Sequence, residues 1–326
     1  MLQILTGQWI AGCVSGLARL GIPDVVASGP KSAAEVAQAT GIDPDAVYRL
    51  MRATAAVGVL SEGTDGRFSQ TPLSAVLCRD AQPGLRDMAM FMTAEYHLRG
   101  WSRIDESVRT GKTVMEGIYG MPVFEYFARN PDEAAVFNGA MTALSSIEAG
   151  GVADAYDFSG IHSITDVAGG VGLLLATILN RNPHLKGTLY EMGHVLEAAR
   201  QGPLAALANR CSLIAGNMFE SIPPGSDAYM MKYIIHDWPD DICIKILGSC
   251  RAGVNPGGKL LVIDHVVPAG NEFSPGKIMD IEMLLFPGGK ERTETQFRDL
   301  LASSGWRLNR IIPTTSGLSI VEGVPA

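Results

Sequence analysis

Seven residues, Asp166-Val167-Ala168-Gly169-Gly170-Val171-Gly172, lie between a strand-like run and a helix-like run. Glycines there let the backbone approach a ligand closely, and a helix start offers unpaired N–H groups. The next strand-like run ends at Glu191, 23 residues beyond Ala168. An acid at that distance can accept both ribose hydroxyls of an adenosine. Together the two features point to a nucleoside-containing cofactor, and leave open whether it is a dinucleotide or S-adenosylmethionine.

A second group comes later. Met231-Lys232-Tyr233-Ile234-Ile235-His236-Asp237-Trp238 follows a further strand-like run, and Pro287-Gly288-Gly289-Lys290-Glu291-Arg292-Thr293 comes after it. Open α/β sheets bind ligands at the C-terminal ends of their strands, so His236 stands where a side chain could take a substrate proton. The other five histidines (97, 162, 184, 194 and 265) carry no such context and read as packed or surface residues. Asp237, Asp240 and Asp241 read as an acidic helix start rather than a cation site. The five cysteines (13, 78, 211, 243 and 250) are scattered, with neither C-x-x-C nor zinc-ligand spacing, so no metal centre is expected. Free thiols of this kind suit a reducing cytoplasm.

The elements that must position these residues change character near residue 150. Over residues 1–80, SAAEVAQAT and PDAVYRLMRATAAVGVL have helical periodicity, with Asp43 or Asp45 as a cap, and SEGTDGRFSQT reads as strand, Asp65-Gly66 turn, strand. That is the outline of a winged helix. Residues 81–150 are helical and rich in Met and aromatics, suited to core packing or to walling a planar ligand. From 151 onward SITDVAGG, GTLYEM, CSLIAGNMF, AYMMKYIIHDW, KLLVIDHVV and GLSIVEGVP read as strands with helices between them. That alternation means an α/β, Rossmann-like doubly wound sheet. The expected organisation is 1–95, a winged dimerisation domain; 96–150, a helical connection lining the substrate; and 151–326, the cofactor-binding domain.

Charge and composition exclude other classes. The 326 residues are 47% apolar and 18% charged, with a net charge of −8, which is a globular and acidic chain. Residues 1–80 carry six basic and seven acidic side chains, with no basic stripe, so the wing is expected to pack or dimerise rather than bind nucleic acid. No apolar run approaches the ~20 residues that span a bilayer, so no membrane partner is expected. The N-terminal run MLQILTGQWIAGCVSGLARLGIPDVV lacks a basic start, and its stretch 2–20 has no charge before Arg19. It reads as a core or partner-facing helix rather than a signal peptide.

Taken in order, the winged start, DVAGGVG, LYEMGHV, GNMFESIP, MKYIIHDW and GGKERT resemble the S-adenosylmethionine-dependent small-molecule O-methyltransferases. These include caffeic acid, hydroxyindole and bacterial antibiotic-tailoring enzymes. The resemblance implies His236 as general base, flanked by Asp264 and Glu291. It implies Ala168, Gly169, Gly170, Glu191, Asn217, Met218 and Lys232 at the cofactor, and Phe137, Met141, Asp280 and Met283 at the substrate. It also implies a homodimer through the N-terminal domain. Four positions depart from the commoner pattern: Ala168 for glycine, Asn217 for aspartate, Gly193 for proline and Asp264 for glutamate.

The implied chemistry needs these parts. A phenol ionises near pH ~10, so at neutral pH it attacks a methyl sulfonium poorly unless a base takes its proton. A carboxylate on the far imidazole nitrogen sets the tautomer and stabilises the imidazolium. The sulfonium is already an activated leaving group, so no metal is implied. Two alternatives remain at this stage. One is the same fold diverted to decarboxylation or rearrangement, and the other is a cofactor-sensing winged-helix DNA-binding regulator.

Overall fold

A computed structural model describes residues 1–326, and they divide into two compact units. The first holds Met1–Ser102 and Tyr126–Leu144, the second Arg103–Glu125 and Ser145–Ala326. The stretch 96–150 is therefore shared between the units instead of standing apart as a connection. Its long helix Pro131–Ala155 begins in the first unit and ends in the second.

In the first unit, Ser32 and Glu35 exchange bonds at the start of helix Ala33–Thr40: the Glu35 N–H donates to Ser32 Oγ, and the Ser32 N–H to Glu35 Oε2. This closes two otherwise unpaired amides. Asp43 caps helix Pro44–Ala55, accepting from the N–H groups of Asp45 and Ala46. Strands β1 (Leu60–Glu62) and β2 (Phe68–Gln70) pair antiparallel, as the Asp65-Gly66 turn predicts. Leu17, Ile22, Val36, Val47, Met51 and Phe68 fill the core beneath them. The N-terminal run enters that core only from Leu17 onward, and its first part stays outside. It forms helices Leu2–Leu5 and Gly7–Arg19, and Leu2, Ile4, Leu5 and Trp9 are exposed, Trp9 by 73%.

The second unit is built on seven strands: β3 (Ser163–Val167), β4 (Lys186–Glu191), β5 (Cys211–Ala215), β6 (Ser226–Lys232), β7 (Val254–Asp264), β8 (Trp306–Pro313) and β9 (Ser319–Pro325). Their order is β5-β4-β3-β6-β7-β9-β8. The first five run parallel, while β9 lies antiparallel to both β7 and β8. Alternate side chains serve opposite faces. Met230, Leu261 and Ile263 pack with Leu175 and Leu179 of helix Leu173–Arg181. Tyr229, Met231, Leu260 and Val262 pack with Ile246 and Leu247 of helix Asp240–Gly253 and with Trp306. A sheet covered on both sides produces such continuous apolar runs.

Two elements differ from expectation. β6 ends at Lys232 instead of running through Trp238: Tyr233 takes φ +57°, and Ile235–Asp237 form a single 3-10 turn. β8 was not anticipated, because its alternation, Trp306-Arg307-Leu308-Asn309, is interrupted at Arg310, where the register shifts, and lies at the sheet edge. The chain reverses its direction of winding between β3 and β6, and that crevice is where such sheets take ligands. No helix is long and apolar enough to cross a membrane.

Candidate active site

The crevice begins where β3 ends. Ala168 continues the β3–β4 ladder through its N–H to Tyr190 O at 2.8 Å, yet has φ +55°, a conformation that disfavours any Cβ. Gly169 has no room for a side chain, since a Cβ there would lie 2.3 Å from Asp166 Oδ2. Gly170, with φ +59° and open space where a Cβ would stand, donates its N–H to Glu191 Oε2 at 3.0 Å. The Met192 N–H donates to Glu191 Oε1 at 2.6 Å. Burial raises the Glu191 pKa, and these two N–H groups oppose the rise.

Beneath the loop, burial and then the neighbouring Glu191 push the Asp166 carboxyl up to about 8, and its Oδ2 has no hydrogen-bond partner. An open glycine cradle and a buried carboxyl with an unpartnered oxygen at strand ends fit an adenosine-bearing cofactor. Asn217 closes its own turn, with Oδ1 accepting from Phe219 N–H at 3.0 Å and Nδ2 donating to Glu220 Oε1 at 3.0 Å. Met218 packs half-buried against the core. Lys232 has a protein partner: its Nζ lies 3.0 Å from Glu148 Oε2 and 4.2 Å from the centre of the Tyr233 ring.

Beyond β6 the one-turn helix Ile235–Asp237 carries His236, which is buried. Its Nδ1 lies 2.7 Å from Glu291 Oε1, and its Nε2 lies 3.5 Å from Asp237 Oδ1. The imidazole stacks on Tyr233, with ring centres 5.0 Å apart and planes 21° apart. Asp264 is fully buried but makes no hydrogen bond to the imidazole; its Oδ1 accepts from Tyr233 N–H at 2.9 Å and its Oδ2 is unpartnered. The carboxylate one methylene shorter thus serves the backbone of Tyr233 rather than His236. Asp237 was expected to belong to a helix start and instead faces His236 Nε2.

Burial pushes Asp264 and Asp237 up to about 7, and Glu291, which Asp280 also disfavours as an anion, up to about 8. Three carboxyls around one imidazole cannot all ionise in a site with this little water.

The strap Gly288–Thr293 fixes this arrangement. A Cβ on Gly289 would lie 2.0 Å from His236 O, so only glycine lets the strap pack on the histidine turn. The Lys290 N–H donates to His236 O at 2.9 Å. Fully buried Arg292 donates from Nη1 to Ile235 O at 2.8 Å, and from Nη2 to Trp238 O at 3.0 Å and Asp240 Oδ1 at 2.8 Å. Asp280 Oδ1, on helix Pro275–Leu285, accepts from Glu291 N–H at 2.8 Å, and Met283 is buried one turn along the same helix. Phe137 and Met141 belong to the first unit, where Phe137 stacks on Phe127 with ring centres 4.6 Å apart.

Sequence reasoning did not single out Tyr233, Glu148 or Arg292 as functional residues. Glu148 left a trace, as the only charged residue between Glu133 and Asp154. Tyr233 left none. No group of three or more His, Cys, Asp or Glu side chains is arranged to hold a metal ion.

Residues 101–307 match an O-methyltransferase domain, and residues 2–80 an O-methyltransferase dimerisation domain. The phenazine O-methyltransferase of Lysobacter antibioticus is 38% identical, over 100% of this chain and 95% of its own. The mitomycin biosynthesis 6-O-methyltransferase of Streptomyces lavendulae is 38% identical over 98% and 92%. A phenazine-1-carboxylate N-methyltransferase of Pseudomonas aeruginosa is 31% identical over 96% and 92%. Among solved structures, a methyltransferase of calicheamicin biosynthesis with S-adenosylhomocysteine bound superposes with a TM-score of 0.87 at 32% identity, over 100% and 97%. An O-methyltransferase of neocarzinostatin biosynthesis, in complex with S-adenosylmethionine and 2-hydroxy-5-methyl naphthoic acid, gives 0.81 at 30% identity, over 97% and 96%.

Proposed function

The chain belongs to the S-adenosylmethionine-dependent O-methyltransferases with an N-terminal dimerisation domain, and from that premise we propose that it methylates a hydroxyl on a small aromatic metabolite with His236 as the general base. The observation that carries this reading is the 2.7 Å contact between His236 Nδ1 and Glu291 Oε1, at the strand end next to the cofactor loop. When bound, S-adenosylmethionine supplies an electrophilic methyl group on a sulfonium. The residues to hold it are Ala168, Gly169, Gly170, Glu191, Asn217 and Met218. Lys232, whose Nζ pairs with Glu148 Oε2, is the cationic member of that set.

The protein's own part is proton transfer and orientation. With Glu291 ionised and accepting from Nδ1–H, the imidazole lone pair is on Nε2, which can accept the acceptor's proton. The resulting imidazolium lies 2.7 Å from Glu291 Oε1 and 3.5 Å from Asp237 Oδ1, so an ionised carboxylate at Glu291 offsets the charge it gains. Asp280 and Arg292 hold the Glu291 strap, and buried Met283, on the same helix as Asp280, supplies apolar surface for an aromatic ring. The relative that methylates a nitrogen makes an amine acceptor the second reading. An amine attacks through a free lone pair and sheds its proton afterwards, so a histidine–glutamate pair held before attack favours a hydroxyl.

Incubation with methyl-labelled S-adenosylmethionine and a panel of hydroxylated naphthalenes, phenazines and quinones tests the reading. Label is expected on oxygen of at least one class. Binding of the cofactor without label transfer to any oxygen would sink it and favour the diverted, non-methylating chemistry.

A further inference from the structure

We propose that Tyr233 is a positioning residue for His236, a plate that fixes the plane of the imidazole, and that Glu148 holds the plate in place. This rests on His236 being the base. A single hydrogen bond sets one direction. With only Nδ1 tied to Glu291, the ring could still pivot about that bond, and Nε2 would sweep an arc. Stacking on Tyr233, with centres 5.0 Å and planes 21° apart, removes the pivot. The two constraints together leave Nε2 one direction.

The plate is itself held from several sides. Its φ of +57° lies in the left-handed region, which a bulky residue keeps only where the surroundings over-determine it. Its N–H donates to Asp264 Oδ1 at 2.9 Å. Its hydroxyl donates to Glu148 Oε1 at 2.7 Å, and Glu148 Oε2 pairs with Lys232 Nζ at 3.0 Å. The Lys232 ammonium in turn lies 4.2 Å from the centre of the Tyr233 ring. The Glu148 and Lys232 side chains are each only 9% exposed. A buried ion pair is a poor source of stability, since desolvation offsets its attraction. Here both partners grip the residue on which the histidine lies.

The test uses the full-length protein. Glycine adopts φ +57° without strain, so Tyr233→Gly removes the plate and leaves the backbone at ease. Tyr233→Phe keeps the ring and cuts its tie to Glu148. In protein labelled with ¹⁵N-histidine, assigned with His236→Gln, wild type is expected to show His236 as one tautomer with a slowly exchanging Nδ1–H. In Tyr233→Gly that proton should exchange at least about tenfold faster as the ring gains freedom.

Rates are then compared on 2-naphthol and on a nitro-substituted 2-naphthol already ionised at the assay pH. Turnover of 2-naphthol should fall about 10–10²-fold in Tyr233→Gly, the usual cost of a misplaced group, with the cofactor KM unchanged. The ionised acceptor needs no base and should lose less than about threefold. On a His236→Ala background, Tyr233→Gly should add nothing. Should Tyr233→Gly not fold, Tyr233→Phe carries the test, with a smaller loss in the same acceptor pattern and the same faster exchange.

A wild-type Nδ1–H signal in the variant, equal losses on both acceptors, or losses that multiply those of His236→Ala would each overturn the proposal. If His236→Ala itself keeps its rate on 2-naphthol, the base assignment falls instead, and the plate with it.

Discussion

Replacing Glu191 with glutamine changes one atom, and its effect can be worked from the contacts. Glu191 Oε2 accepts the Gly170 N–H at 3.0 Å and Oε1 the Met192 N–H at 2.6 Å. Each carboxylate oxygen keeps a second lone pair, one for each ribose hydroxyl. An amide offers one oxygen and one NH₂. Either way round, the NH₂ meets a backbone N–H, so one anchoring bond is lost and at most one hydroxyl finds an acceptor. Losing one charge-assisted bond costs ~1.5–3 kcal/mol, which weakens binding by about 10–150-fold.

Isothermal titration of S-adenosylmethionine and S-adenosylhomocysteine into wild type and variant measures this, with thermal unfolding run in parallel to confirm that both are folded. Wild-type affinity should also weaken as pH falls. Burial raises the Glu191 pKa, so its acceptor charge is lost at a higher pH than for an exposed glutamate. The glutamine variant should lack that dependence. A dissociation constant within about threefold of wild type, ~0.7 kcal/mol, would refute Glu191 as the ribose ligand.

His236→Ala should bind cofactor normally but turn over a phenol ~10²–10⁴-fold more slowly, with partial rescue as pH approaches the phenol's ~10; wild-type turnover at neutral pH would remove its role as base. Ala168→Gly should raise stability by about 0.5–1 kcal/mol in urea unfolding, because relief of left-handed strain, ~1–2 kcal/mol, outweighs the unfolded-state entropy of glycine. Lower stability would show that Ala168 is not strained. For fully buried Glu322, burial alone would raise the pKa, but Arg310, Tyr156 and Asn309 hold it down to about 2. Its contribution is therefore present above the unfolded ~4.5 and lost as pH falls toward 2, so Glu322→Gln should cost ~2–3 kcal/mol at pH 7 and little near pH 2. A penalty that does not change with pH would contradict that. Lysine at both Ile4 and Trp9, exposed in the single chain, should turn the homodimer into monomer in sedimentation, since interfaces of this kind bury about 2,000 Å² or more.

What the sequence made legible is what local spacing controls. The glycine loop, Glu191 at the end of the following strand, the aspartate cap and the wing turn all follow from neighbours within a few residues or one βα unit. His236 and Glu291, 55 positions apart, could be paired only through the family resemblance, and the structure brings them to 2.7 Å. The illegible part depends on the third dimension. Tyr233 reads as one more apolar strand residue until its φ of +57° ends β6, and nothing in its chemistry announces that turn. The partner that claims Lys232 lies 84 positions earlier, on a helix of the chain's middle segment. Arg292 is a charged residue whose type predicts a surface, yet it is 1% exposed because three backbone carbonyls and Asp240 take up its donors.

The departure at Asp264 and the left-handed backbone of Tyr233 meet at one amide. A glutamate at 264 would extend one methylene further than this aspartate does, whereas the aspartate stops at the Tyr233 N–H, 2.9 Å away. The Tyr233 N–H still reaches the neighbouring strand, at Ile263 O 3.2 Å away, and has Asp264 Oδ1 as its nearer acceptor. The short side chain therefore reinforces the last backbone bond of β6 before the left-handed turn. The same turn ends β6 and sets His236 against Tyr233 and Glu291, with His236 Nε2 facing Asp237. Substituting the longer acid would return a second carboxylate toward the imidazole and leave the Tyr233 N–H only its longer bond to Ile263 O.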